Sequence, residues 1–268
     1  MDRPPLDLSR ARILISNDDS IHSTGIKVLE KIARTLCDDV WVCAPETEQS
    51  GASHSLTIHR PLRLRKYDER HFSVDGTPTD CVMLAMSHLL KDHRPDLVLS
   101  GINHGANVGD DVTYSGTVAV AMESTLLGVR AMAFSQRVEE GEPLSFAVPE
   151  QRAADLIRRL AGASWADNVM LNINFPSVAP DAVTGARVVG HGRRKLGDDL
   201  RERFDPRGRS YFWIGPQRSD VEIDPDSDIA VIESGGIPVT PIYLDLTHFP
   251  SMPAFAEALG PASPEALG

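Results

Sequence analysis

The chain has 268 residues, 41% hydrophobic and 24% charged, with a formal net charge of −11. That length and balance suit one large globular domain, or a core domain with an appendage, and give no run of transmembrane length. The acidic excess argues against a general nucleic-acid binder, which would carry a basic face, but not against a small anionic substrate beside a bound cation.

Residues 1–10 are polar and lack the apolar core of a signal peptide, so a cytoplasmic protein is expected. The three cysteines, Cys37, Cys43 and Cys81, show no zinc spacing and read as buried free thiols of a reducing compartment. Residues 11–16 form a short apolar run that reads as a first strand. It climbs to the polar tip Asn17-Asp18-Asp19-Ser20. Residues 24–37 show helical spacing, with Ile26, Leu29, Ile32, Ala33 and Leu36 on one face. Residues 40–45 read as a second buried strand ended by Pro45, followed by the small, polar loop 46–55. A β-like stretch runs over 56–74. Thr77 then caps a helix with Pro78 at its first position and Asp80 beyond it.

Residues 96–101 form a third strand, and the Gly- and Asn-rich segment 102–111 reads as the loop at its end. Ser115-Gly116-Thr117 opens the next helix, over 118–127, and 131–135 forms a fourth strand. This alternation predicts a doubly wound, Rossmann-like α/β fold with a mostly parallel sheet. A helix over 149–161 and a strand over 169–175 extend it. Residues 186–192 and the segments flanking Asp205-Pro206-Arg207-Gly208 look like long β segments around a turn, with basic residues concentrated over 193–209. Residues 219–227 are acidic and loop-like, 237–246 form a further strand, and the tail 250–268 carries a short helical piece. The expected organisation is a single domain. Residues 11–180 form the α/β core, and 186–268 a protruding β-hairpin arm, closing strands and tail that serve oligomerisation.

Ligands of open α/β sheets bind beyond the carboxyl ends of the strands. Asn17-Asp18-Asp19, Ser50-Gly51-Ala52-Ser53 and Gly101-Ile102-Asn103 all follow such ends. They offer two carboxylates, a hydroxyl and an amide oxygen, hard donors suited to Mg²⁺, Mn²⁺ or Ca²⁺. Two adjacent acids repel unless a cation neutralises them. Ser115-Gly116-Thr117 adds a helix N-terminus, an anion site. A divalent ion beside an anion-binding helix start is the minimum apparatus for phosphoester hydrolysis. Taken singly, each feature has a plainer use: turns for Ser50 and Ser53, a turn cap for Asn103, an N-cap for Ser115. Asp110 and Asp111 read as solvated or capping acids, His22 as a surface residue, and His54 and His104 as secondary candidates for phosphate contact or proton transfer.

Five motifs, in order, resemble the SurE family. They are Ile13-Leu14-Ile15-Ser16-Asn17-Asp18-Asp19; Ala44-Pro45 with Ser50-Gly51-Ala52-Ser53; Gly76-Thr77-Pro78-Thr79-Asp80-Cys81; Ser100-Gly101-Ile102-Asn103 with Gly109-Asp110-Asp111; and Tyr114-Ser115-Gly116-Thr117-Val118-Ala119. The second half is similar more loosely, through Asp205-Pro206-Arg207-Gly208, Tyr211-Phe212-Trp213-Ile214-Gly215 and Asp245-Leu246-Thr247. SurE proteins are stationary-phase survival proteins acting as 5′/3′-nucleotidases. The resemblance implies one divalent ion per subunit, Mg²⁺ or Mn²⁺, held by Asp18, Asp19, Ser50 and Asn103. It implies hydrolysis of nucleoside 5′-monophosphates, with activity on 3′-monophosphates and short polyphosphate. It also implies a homodimer or homotetramer exchanging the β arm and tail. Neither a nucleic acid nor a membrane is expected as a partner.

On this reading Asp18 and Asp19 are catalytic, either of them able to serve also as base, and Asn17, Asn107, Ser115, Gly116 and Thr117 bind substrate phosphate. Three places depart from the family pattern. Ser20 stands where glycine is usual, so a positive φ there would strain it. Ser23-Thr24-Gly25 replaces Ala-Pro-Gly, and Asn103-His104-Gly105-Ala106-Asn107 replaces Asn-Ala-Gly-Pro-Asn. A non-catalytic nucleotide sensor is the alternative. An aspartyl-phosphate phosphatase of the haloacid dehalogenase type would need Asp-x-Asp, and the adjacent acids here have the wrong spacing.

Overall fold

The computed structural model describes residues 3–139, 141–193, 200–214 and 223–260. Eight strands of the main sheet run in chain order as β1 (Arg12–Ser16), β2 (Asp39–Pro45), β3 (Leu64–Lys66), β4 (His71–Val74), β5 (Leu97–His104), β6 (Arg130–Gln136), β7 (Val169–Phe175) and β8 (Ala186–Val188). A separate hairpin follows, β9 (Leu200–Phe204) and β10 (Ser210–Ile214), and then β11 (Ile237–Tyr243). The helices are α1 (Thr24–Ala33), α2 (Pro78–Leu84), α3 (Gly116–Leu126), α4 (Ala147–Ala161), α5 (Asp228–Glu233) and α6 (Met252–Leu259).

The nine-stranded sheet has the order β3-β4-β2-β1-β5-β6-β7-β11-β8. From β4 to β7 every pairing is parallel, while β3 and β11 join antiparallel. The chain moves outward from β1 to β2 on one side, then crosses to β5 on the other. That reversal makes the β1/β5 boundary the topological switch point. The expected doubly wound sheet is present, and alternation within β1 shows why. Ile13 and Ile15 face one core with Ile26, Leu29 and Ile157 of α1 and α4. Leu14 faces the other with Val82, Val118 and Val120 of α2 and α3.

Cap chemistry sets the helix starts. Ser23 Oγ accepts Ile26 N–H at 3.4 Å, and Thr77 and Asp80 exchange both bonds of a capping box at the start of α2. Asp80 also accepts Thr57 N–H at 3.1 Å, which ties down the segment before β3.

Several expectations change. Only Leu64–Lys66 and His71–Val74 are strands within 56–74; backbone groups outside them bond to Asp75 and Asp80 side chains instead. The α1 helix stops at Ala33 rather than 37. The helix begun at Pro78 widens into a π-helical turn over Ala85–Leu89. β5 continues to His104, through residues expected to be loop, with its register to β6 shifted between Ser100 and Asn103. The β segment expected over 186–192 is a strand only for Ala186–Val188. The hairpin forms as expected, and all ten of its strand residues are exposed. Its turn is held by Asp205, whose Oδ1 accepts the N–H groups of Arg207 and Arg209. The basic stretch over 193–209 and the tail past 260 lie partly outside the described residues, as do Gly215 and the acidic stretch from 219 to 222.

Candidate active site

The acids sit where β1 ends. Asp18 is buried at 4% exposure, and Asp19 is half-buried. Burial pushes the Asp18 carboxyl up to about 6, against the lowering effect of its hydrogen bond from Thr117, and the neighbouring Asp19 adds to the rise. Burial also raises Asp19, whose Oδ2 accepts His104 N–H at 3.4 Å. The second loop joins the first because Gln49 N–H donates to the Asp18 carbonyl at 2.8 Å, placing Ser50 one residue away. Ser50 Oγ itself donates to Glu48 Oε1 at 2.8 Å. The third contribution comes from the extension of β5, where half-buried Asn103 donates Nδ2 to Gly105 O at 2.9 Å, leaving its amide oxygen as an acceptor.

Close packing makes this convergence possible. A Cβ on Gly25 would lie 1.9 Å from Ile102 O, so the start of α1 presses directly on the backbone that delivers Asn103. Gly101 has φ 122°, and a Cβ there would lie 2.3 Å from Phe134 O. Gly116, first residue of α3, has the same role against the acids: a Cβ would lie 2.7 Å from Asp18 Cβ. Glycine at these positions lets α1 and β6 pack against the backbone that leads to Asn103, and α3 against Asp18.

The donors suit a hard cation. Among the described residues no group of three or more His, Cys, Asp or Glu side chains gathers to hold a metal. An ion at Asp18 and Asp19 would therefore add the neutral oxygens of Ser50 and Asn103, an all-oxygen set. Asn17 Oδ1 is buried at the same strand end with no hydrogen-bond partner among the described residues, a further oxygen that favours a nearby positive charge.

The other predicted residues have the following partners. Asn17 Nδ2 donates to Ser20 O and Ser23 Oγ, both at 2.9 Å, so it braces the turn into α1. Ser20 in that turn has φ 98°, the strained conformation expected of a serine at this position. Ser115 Oγ caps α3 by accepting Val118 N–H at 3.1 Å. Thr117, fully buried, donates its hydroxyl to Asp18 Oδ1. Asn107 is buried. Its Nδ2 donates to Ser135 Oγ at 2.8 Å, its N–H to Asn174 Oδ1 at 2.8 Å, and its carbonyl accepts from Asn172 and Asn174. This network anchors the loop after β5 onto β6 and β7.

His54 pairs with Glu123 at 2.9 Å on the flank of α3, and His104 is exposed beside Asp19. His22 is exposed, as expected, and meets Tyr67 edge-on. Asp110 is exposed, but Asp111 is buried rather than solvated, because it lies on the inner side of the 3₁₀ turn Gly109–Tyr114.

Asp228 carries a role absent from the sequence reading. It is fully buried and accepts Gly109 N–H at 2.9 Å and Gly192 N–H at 2.8 Å, with His191 3.2 Å away. These bonds outweigh burial and hold its carboxyl below the usual range. The available signal was Ser227-Asp228 ahead of the apolar Ile229, Val231 and Ile232, a helix start. For Asn172 and Asn174 it was two asparagines at alternating positions of an otherwise apolar strand.

Fold and site together define an open α/β protein with a paired-carboxylate centre at its switch point, facing a helix N-terminus. The family model described as "Survival protein SurE" matches residues 13–198. The 5′-nucleotidase SurE of Paramagnetospirillum magneticum is 56% identical over 255 residues, covering 95% of this chain and 98% of that protein. The 5′-nucleotidase SurE of Rhodospirillum rubrum is 55% identical over 258 residues, with the same two coverages. The crystal structure of the SurE protein from Aquifex aeolicus superposes with a TM-score of 0.83 at 35% identity, covering 93% of this chain and all of that one. The chain belongs to the SurE family.

Proposed function

We propose that this protein is a divalent-metal-dependent phosphomonoesterase acting on nucleoside 5′-monophosphates, with 3′-monophosphates and short polyphosphate as further substrates. The observation that carries the reading is the buried Asp18 carboxylate, paired with Asp19 at the switch point and in contact with the first turn of α3. The names of the 5′-nucleotidase relatives support the substrate class.

Asp18, Asp19, Ser50 and Asn103 would hold one Mg²⁺ or Mn²⁺ per subunit. When bound, such an ion supplies Lewis acidity and neutralises charge on a phosphoryl group. The chain's own groups do the rest. Gly116 brings the α3 N-terminus against the acids without a side chain in between, so its N–H and the Ser115 region face an incoming phosphate. One of the two carboxylates, Asp18 or Asp19, also serves as base toward an attacking water. Asn17 and Asn107 act beneath this layer, holding the loops that carry the acids and the phosphate site.

We extend the proposal to organisation. The chain is one domain, and residues 186–268 make the subunit contacts of a homodimer or homotetramer. Support comes from the exposed Leu200, Phe204, Phe212, Trp213 and Ile214 of the hairpin and Phe255 and Leu259 of α6. Free, buried Cys37, Cys43 and Cys81 support a reducing, cytoplasmic setting. No described helix is long and apolar enough to cross a membrane.

The test is phosphate release from a panel of nucleoside 5′- and 3′-monophosphates after chelation, with Mg²⁺ or Mn²⁺ added back. Metal-dependent release is expected. Tight nucleotide binding without release under every metal would replace this reading with a sensor.

A further inference from the structure

Two hydrogen bonds from distant elements meet at Thr117. Its side chain is fully buried, and its hydroxyl donates to Asp18 Oδ1 across 99 positions of sequence. Its carbonyl accepts a 2.7 Å bond from Ser100 Oγ, a fully buried residue on β5. A chain of contacts therefore runs from β5 through the first turn of α3 to the end of β1, the two strands that flank the switch point. Gly116, one residue earlier, lies so close that any side chain would meet Asp18.

A threonine hydroxyl has one proton to donate. Here that proton is directed to Asp18, in a buried position with no exposed face for a substrate. We propose that Thr117 is a positioning residue that fixes the Asp18 carboxylate for a divalent cation, and that it makes no side-chain contact with phosphate. Holding one oxygen of a planar carboxylate fixes where the other points. Ser100 in turn holds Thr117 against β5, so the orientation of Asp18 is set by both strands. Outer hydrogen bonds to metal-binding carboxylates act this way in general. The inference deepens the function proposed above and rests on it.

The experiment is calorimetric titration of the full-length protein with Mn²⁺, comparing wild type with Thr117→Val and Thr117→Ser. KM, kcat and inhibition by inorganic phosphate are then measured at saturating Mn²⁺. Valine keeps the volume and removes the donor, so Mn²⁺ affinity should fall roughly tenfold to a hundredfold. Serine should restore most of it. KM and the phosphate inhibition constant should stay at wild-type values once metal saturates. Wild-type Mn²⁺ affinity in Thr117→Val together with a raised KM and phosphate inhibition constant would overturn the proposal in favour of a phosphate contact. A Thr117→Ser protein as impaired as Thr117→Val would also overturn it, since packing rather than the donor would then matter. If Thr117→Val is too unstable to titrate, Ser100→Ala loosens the same chain one step away and should weaken Mn²⁺ by a smaller factor; unchanged affinity there overturns the proposal. Absence of Mn²⁺ binding to wild type would refute the metal-site assignment itself, which separates the two failures.

Discussion

The switch point and the hairpin arm answer their polar and apolar groups in opposite ways. Around Asp18, partners arrive from far along the chain: Thr117 from α3, Gln49 from the second loop, and Gly25 pressing Ile102 from α1. In the arm, Asp205 bonds locally, closing its own turn onto Arg207 and Arg209. Its apolar side chains face outward, Trp213 at 64% exposure and Ile214 at 75%. An isolated two-stranded hairpin is marginal in water. The acidic end of the core is thus held by partners distant in sequence, whereas the arm presents its apolar side chains outward.

The largest effect expected is on turnover. On the proposed metal site, Asp18→Asn and Asp19→Asn should each lower kcat by on the order of 10³-fold, the loss of several kcal/mol of transition-state stabilisation. Far-UV circular dichroism should stay native. Near-normal turnover in both would dissolve the claim that the core end is the reactive end.

Gly25→Ala comes next and probes the packing. A methyl 1.9 Å from Ile102 O forces α1 away from β5, at a cost of about 3 kcal/mol, the upper end for overpacking. Urea unfolding measures it, and activity should fall because Asn103 moves with that backbone. A cost near zero would mean that α1 is not the wall that delivers Asn103.

For the arm, Phe212→Ser combined with Trp213→Ser should lower the mass seen by light scattering while leaving kcat per site within about a factor of two, because area lost at an interface weakens association rather than chemistry. A parallel loss of kcat would blur the comparison, showing that the arm completes a site. The smallest effect is Ser20→Gly. Relieving φ 98° should stabilise the fold by up to about 1 kcal/mol, read as a higher urea midpoint at constant slope. No gain would mean that the brace from Asn17 already removes the strain.

Much of this was legible before the structure. Local patterns act over a few residues, so short apolar runs located β1 and β2, helical spacing located α1, and Thr77 as N-cap followed by Pro78 marked the start of α2. The Ser20 strain was foreshadowed only by the resemblance, in which glycine is usual at that position, and the structure supplies the positive φ. Misreadings arose where contacts at a distance overrode local chemistry. Residues 102–104 look like loop, with a glycine before and after, yet pairing to Ser135 and Gln136 of β6 draws Asn103 and His104 into β5. Residues 56–63 alternate like a strand, yet the carboxylates of Asp80 and Asp75 capture the N–H groups of Thr57 and Arg63.

By itself the sequence determined the alternating α/β plan, the acidic tip at Asp18 and Asp19, the helix start at Ser115 and the motifs that mark the SurE family. Only the tertiary structure decided which groups those residues serve. Thr117 turned to Asp18, Asn107 to Ser135 and Asn174, and Asp228 to Gly109. The physical reason is separation: these partners lie 28 to 119 positions apart, and a side chain's periodicity or capping preference carries no information about a donor that reaches it only when the sheet has assembled.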